Sequence, residues 1–332
     1  MSEPTFNKIY PKRGLPFSIN DYPESVQKVW REKIRPVDEI IAQLPSNFRF
    51  VASFCIAQPR EFLRRLGERK NFEQMECFAS FLLEPYEFLK APNVSYKTCY
   101  LGPAERMLND VMKKTIHFIP KQYTHIGDAV SFFAPEYCLH SATVPDEEGY
   151  VNLGLNNAAD EPYIRECLAD PRRKVILEIN AHTPWVQGDP QLGDHKIHLS
   201  EVDFIYENHE PLFQLPPIAA TEKEKSIATF ASEYIKDEST IQLGIGGIPN
   251  YIASQITNRK DIGVHTEMLT DSIVDLHHSG ALTNRCKGYR EGQTVCGFIA
   301  GTDKLYDWVD RNPSVVILPI KDVNSPDRKS VV

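Results

Sequence analysis

The sequence predicts an α/β chain built as two α/β domains with mainly parallel sheets. Short β-rich runs alternate with helix-spaced segments along most of its 332 residues, the pattern of strands joined by crossover helices. An aperiodic stretch from Glu207 to Thr221, with Pro211, Pro216 and Pro217, separates an earlier series of such elements from a later one and reads as a linker. The length suits one large or two ordinary domains. The expected division is therefore 1–215 and 222–332.

Residues 1–20, with Pro4, Pro11 and Pro16, are expected to be irregular. Val26, Val29, Trp30 and Ile34, then Val37, Ile40, Ile41 and Leu44, carry helical spacing interrupted near Pro36. Phe48 to Ile56 is β-rich, and a helix begins at Pro59-Arg60-Glu61, with proline in its first turn. Further strands are expected at Ser95–Leu101, Thr115–Pro120, Ala129–Phe133, Lys174–Ile179 and Val202–Tyr206. Past the linker, a helix is expected over Glu222–Ile235, a strand over Thr240–Leu243 and a helix over Pro249–Thr257. Strand Ile262–Thr266, helix Ser272–Ser279, strand Thr294–Ile299, helix Asp303–Arg311 and strand Val315–Pro319 complete the series. The last strand is followed only by a short polar-rich stretch, whereas a parallel sheet needs cover on both faces. The second domain is therefore expected to be incomplete.

Composition excludes several classes. Apolar residues make up 42% and charged residues 25%, and the net charge is -8 with no long basic run to offset it. Nucleic acid and anionic membrane surfaces are therefore not expected as partners. Seven scattered cysteines without a C-x-x-C fit a reducing compartment rather than a disulfide framework or zinc ribbon. No secretory signal or transmembrane run is visible, and a cytoplasmic location is expected. The ten histidines form no H-E-x-x-H, so no metal is expected.

The most informative segment runs from Thr240 to Met268. Its first part, Leu243-Gly244-Ile245-Gly246-Gly247-Ile248-Pro249-Asn250, passes from strand to helix. Glycines let a backbone turn sharply and a ligand approach closely, and a helix start offers free N–H groups and a positive dipole end to an anion. A tight turn that needs glycine only for packing is the equal alternative. Proline at 249 breaks the dinucleotide fingerprint, and no Gly-Lys-Ser/Thr follows, so NAD and ATP are not favoured. Glu267 closes the second part, Gly263-Val264-His265-Thr266-Glu267, at the carboxyl end of an expected strand, where active residues of open α/β sheets gather. A carboxylate there can act as nucleophile, general base or ligand; an ordinary surface acid is the commoner fate of such a residue. Asp271 reads as a helix cap, His277-His278 as solvated helix positions, and Asp146-Glu147-Glu148 as a turn before Gly149.

The stretch from Gln242 closely resembles the family I coenzyme A transferases of the acetyl-CoA hydrolase/transferase branch, with 4-hydroxybutyrate and butyrate:acetate CoA-transferases as the nearest type. LGIGGIPN (243–250) and GVHTEM (263–268) carry the resemblance as a pair. Residues 271–276 with Gly280 and Thr283-Asn284, then 301–309 with Asn312-Pro313, extend it, and 146–154, 178–180 and Pro184…Gly188 are similar to landmarks of the first domain. Ser272 stands where the family usually has glycine. The resemblance covers roughly residues 30–326.

What the resemblance implies is specific. The fold would be of the CoA-transferase (NagB-like) type. Glu267 would be the catalytic nucleophile, Gly244, Ile245, Gly246, Gly247 and Ile248 the CoA-binding loop, and Asn324 an active-site asparagine. Coenzyme A would be substrate and product, with an acyl-CoA and a short-chain carboxylic acid as partners in a ping-pong exchange through a glutamyl-CoA thioester. A homodimer or homotetramer would be the assembly. Family members carry a second glycine-rich loop beyond the point where this sequence ends, so a C-terminally shortened member is implied. An acyl-CoA hydrolase, an inactive CoA-binding homologue and a sugar-phosphate isomerase of related fold are the alternatives.

Overall fold

The structure, a computed structural model, describes residues 12–157, 160–192 and 194–325. The expectation for residues 1–11 and the end of the polar-rich stretch, beyond residue 325, lie outside the described residues. The chain divides into two compact units.

The first unit comprises the described residues of Met1–Gly154, Pro162–Thr183 and Lys196–Leu212. Its strands are β1 (Asn47–Ala52), β2 (Gln74–Phe78), β3 (Val94–Thr98), β4 (Ile116–Phe118), β5 (Tyr137–Ala142), β6 (Tyr150–Asn152), β7 (Lys174–Asn180), β8 (Lys196–His198) and β9 (Phe204–Asn208). Seven of them form one sheet in the order β4-β3-β2-β1-β5-β7-β9, and every pair is parallel. The antiparallel pair β6–β8 stands apart. Crossovers include the helices Arg60–Leu66, between β1 and β2, and Ile126–Phe133, between β4 and β5. Period-two burial builds the core. Phe48, Phe50 and Ala52 of β1 and Met75 and Cys77 of β2 share a cluster with Ile40, Ile41, Leu44, Phe62, Leu63 and Leu66, as a sheet face packed by helices requires.

Near the N-terminus, the helix-spaced run divides at Pro36 into Glu24–Lys33 and Val37–Gln43. Proline fixes φ and lacks the N–H that would continue the first helix, yet its carbonyl accepts from Glu39 and Ile40 to open the second. One expected strand is a helix. Ala129–Phe133 is the end of Ile126–Phe133, whose buried positions Ile126, Ala129, Val130 and Phe133 have helical spacing, while Phe132 is 93% exposed.

The second unit comprises the described residues of Leu155–Glu161, Pro184–His195 and Phe213–Val332. Its strands are β10 (Thr240–Ile241), β11 (Gly263–Leu269), β12 (Thr294–Ile299) and β13 (Val315–Ile317), all parallel and in chain order. Helices Gly247–Gln255, Asp271–His278 and Asp303–Val309 connect them. Glu222–Ser232 precedes β10 and begins with a reciprocal cap between Thr221 and Glu224. The unit also draws on the earlier part of the chain: Asn156 bridges Phe298 and Gln187 bridges Val316. Asp271 differs from expectation. It is the first residue of its own helix, and its carboxylate accepts the N–H of Thr302 at 3.0 Å and the Thr302 hydroxyl, so it caps the helix after β12 instead.

Candidate active site

The glycine loop lies between β10 and the helix Gly247–Gln255, and its glycines have different physical reasons. Gly246 has φ of +122°, a conformation that side chains disfavour. A Cβ at Gly247 would come within 2.8 Å of the Ala220 Cα and 3.1 Å of a Glu224 carboxylate oxygen. Gly247 is thus required by close approach. A Cβ at Gly244 would meet nothing within 4 Å, so the unit's own packing does not demand glycine there. A small cleft is lined by Ile245, Gly246 and Asn250 from the loop and helix, by Leu215–Ile218, and by Thr270, Asp271 and Ala300 at the carboxyl ends of β11 and β12. Gly244, Gly247, Ile248 and Glu267 do not line it. The free N–H groups of the first helical turn and its positive dipole end suit an anionic group at this loop.

Glu267 is half-buried, the least covered residue of β11. Its Oε2 accepts a hydrogen bond from Asn324 Nδ2 at 2.5 Å. Asn324 caps the single-turn helix Ile320–Val323, and its own N–H donates to the Ile320 carbonyl at 2.8 Å. The structure therefore brings together two of the residues singled out in the sequence, 57 positions apart. The Asn324 Oδ1 is buried and has no hydrogen-bond partner among the described residues. A carboxylate beside an amide donor and a spare acceptor can act as a nucleophile whose charge is held in place.

Sequence reasoning missed the groups that fix β11. Thr266 Oγ1 donates to the Leu243 carbonyl at 3.1 Å, tying the strand to the start of the glycine loop. At the entrance to β11, Val264 N–H donates to Asn284 Oδ1 at 2.9 Å, and the Asn284 amide donates to Thr294 Oγ1 at 3.1 Å. Lys287 Nζ donates to the Val264 and Gln293 carbonyls at 2.8 and 2.6 Å. Lys287 is 2% exposed, and burial pushes its amine down to about 7. A neutral amine still offers two N–H groups, the number these carbonyls take. Its stem lies against Gly263, where a Cβ would be 2.5 Å from Lys287 Cγ. The only signal of this clamp in the sequence is a lysine between two strands, which ordinarily reads as solvated.

Other polar side chains have structural roles. His198 caps a short turn and interacts with Ser200 Oγ at 2.7 Å and with the Glu148 carbonyl at 2.9 Å. Asp146 closes its turn by accepting from the N–H groups of Glu148 and Tyr150. Among the described residues no group of three or more His, Cys, Asp or Glu is arranged to hold a metal ion. Among the described residues no helix is long and apolar enough to cross a membrane.

Residues 20–216 match the family model of the acetyl-CoA hydrolase/transferase N-terminal domain. The chain is 31% identical to succinyl-CoA:cyclohexane-1-carboxylate CoA transferase of Geobacter metallireducens, over 93% of this chain and 69% of that protein. It is 27% identical to 4-hydroxybutyrate coenzyme A transferase of Clostridium kluyveri, over 90% of this chain and 68% of that one. Among solved structures, RipA from Yersinia pestis shares the fold with a TM-score of 0.83 at 24% identity, over 92% of this chain and 72% of that one. The chain belongs to the acetyl-CoA hydrolase/transferase family of enzymes.

Proposed function

We propose that this chain transfers coenzyme A between a short-chain acyl-CoA and a carboxylic acid, with Glu267 as the nucleophile. The Glu267 carboxylate attacks the thioester carbonyl, the C–S bond breaks, and an acyl-glutamyl anhydride and CoA thiolate result. The thiolate attacks the glutamyl carbonyl, the acyl group leaves as its carboxylate, and a glutamyl-CoA thioester remains. An incoming acid repeats the two steps in reverse and departs as the new acyl-CoA. Splitting the exchange in this way is nucleophilic catalysis, and distant contacts to CoA can be used at the reacting carbonyl.

The observation that carries this reading is the Glu267–Asn324 contact at 2.5 Å. It sets a polar donor beside the one partly open residue of a buried strand. Gly244, a glycine without a packing reason, supports close approach of a ligand at the loop. The relatives' named substrates, cyclohexane-1-carboxylate and 4-hydroxybutyrate, favour small organic acids as acceptors. A homodimer or homotetramer in the cytoplasm completes the proposal.

The test is mass spectrometry after incubation with butyryl-CoA and borohydride, which reduces a glutamyl thioester to an alcohol. Modification of Glu267 is the expected result. Glu267→Ala is expected to lower transfer by at least about 10³-fold while retaining CoA binding. Undiminished turnover in that variant sinks the assignment. Loss of thioester to water without transfer to acetate identifies a hydrolase instead.

A further inference from the structure

His265 lies two residues before Glu267 on β11, so the two side chains share a face ~6.7 Å apart along the strand. The ring is 1% exposed, and its Nε2 is 2.8 Å from the carbonyl oxygen of Val323. A carbonyl only accepts, so Nε2 carries the proton of this bond. Val323 is the last residue of a one-turn helix, and Asn324 follows it. The last carbonyls of a helix have no partner within it, and a buried one left unpaired is costly. The imidazole supplies that partner. The turn is thus pinned to β11 at adjacent residues, with His265 holding Val323 and Glu267 meeting Asn324. A single-turn helix has little stability of its own, so these bonds decide where the Asn324 amide sits.

We propose that His265 is a positioning residue for the reaction at Glu267, holding the 320–324 turn so that Asn324 stays on the nucleophile. It touches neither the thioester nor CoA in this scheme. Its effect falls on attack by Glu267 rather than on CoA binding. The inference rests on the proposed transferase reading for its kinetic consequence, and on hydrogen bonding alone for its structural one.

The test compares His265→Phe, which keeps the ring's bulk without a donor, with His265→Gln, whose amide nitrogen is close to the position of Nε2. Three readouts are taken on the full chain: single-turnover labelling of Glu267 by butyryl-CoA, affinity for free CoA, and backbone hydrogen exchange over residues 320–325. His265→Phe is expected to slow labelling by about 10- to 100-fold, the scale of a small misplacement of a reacting group, with CoA affinity kept within about twofold and exchange faster in the turn. His265→Gln is expected to label within about threefold of the unaltered protein and to restore exchange protection. Labelling at full rate in His265→Phe overturns the proposal, as does equal impairment of both variants. Should His265→Phe fail to fold, His265→Leu takes its place against His265→Gln. If the unaltered chain is never labelled, the proposed reaction fails. Exchange in the turn then decides separately whether His265 holds it: unchanged protection in His265→Phe overturns the inference, and lost protection restored by glutamine upholds the hold.

Discussion

Gly244 and Gly247 are three positions apart in one loop and answer to different constraints. At Gly247 a methyl group would press on the Ala220 backbone and on Glu224. Gly247→Ala is therefore expected to cost about 1–3 kcal/mol of stability, as overpacking does, read as a shift in the unfolding midpoint. At Gly244 the protein leaves room. Gly244→Ala is expected to fold with an unchanged midpoint and to weaken CoA binding by about tenfold, roughly the 1.4 kcal/mol of one lost close contact. Calorimetric titration with CoA separates the two variants; equal binding by Gly244→Ala and the parent would mean that this glycine serves the turn alone. The run of three glycines was legible in the sequence. Which of them the fold itself demands was not, because that depends on Ala220, some 27 residues earlier.

At the scale of elements, the second unit was read more fully than the first. Its strands and helices fall where the alternation of apolar runs and helical spacing indicates, with ends displaced by a few residues. In the first unit, β2 and β5 were not expected, although both lie inside the sheet. β5 reads Tyr-Cys-Leu-His-Ser-Ala, and its interior His140 and Ser141 are buried, so the polar letters hide a central strand. β2 carries Glu76, which is answered across the sheet by Lys97 of β3; pairing of that kind is invisible until the strands are adjacent. The resemblance already marks Asn324 as a site residue, but its contact with Glu267 exists only where the turn after β13 meets β11. The clamp on β11 is likewise tertiary. Lys287→Met would remove the Nζ hydrogen bonds to the Val264 and Gln293 carbonyls, each worth about 0.5–1.5 kcal/mol, and would free the strand entrance. The expected outcome is faster amide exchange across β11 with protection in β7 unchanged. Unchanged exchange in β11 would show that the strand entrance is held without Lys287.

Across the whole molecule, each unit buries an ionisable group that titrates near neutrality, and the two have opposite signs. In the first unit, Glu178 of β7 is 3% exposed. It accepts from the Tyr206 hydroxyl at 2.9 Å and from the Glu61 N–H at 3.3 Å. Burial raises it from 4.5 to about 7, above the lowering effect of the Tyr206 and Asn208 hydrogen bonds. The folded form thus keeps a proton that the unfolded chain has already lost. Its contribution to stability is complete below pH 4.5 and is lost as pH rises to about 7. Lys287 in the second unit runs the other way. Its folded amine loses its proton near 7 and its unfolded one near 10.5, so its contribution is complete above 10.5 and is lost as pH falls to about 7. Neither slope was legible in the sequence, where Glu178 stands in a stretch similar to a family landmark and Lys287 reads as an ordinary charged position; burial of each depends on strands brought together from elsewhere in the chain. Exchange measured by unit resolves the two effects. Protection of β7 is expected to fall between pH 4.5 and about 7, and Glu178→Gln, a neutral isostere, is expected to flatten that fall. Protection of β11 is expected to rise between about 7 and 10.5, and Lys287→Met to remove the rise. After correction for the intrinsic pH dependence of exchange, parallel slopes in the two units, or slopes that survive both substitutions, would show that other groups set the pH dependence of this fold.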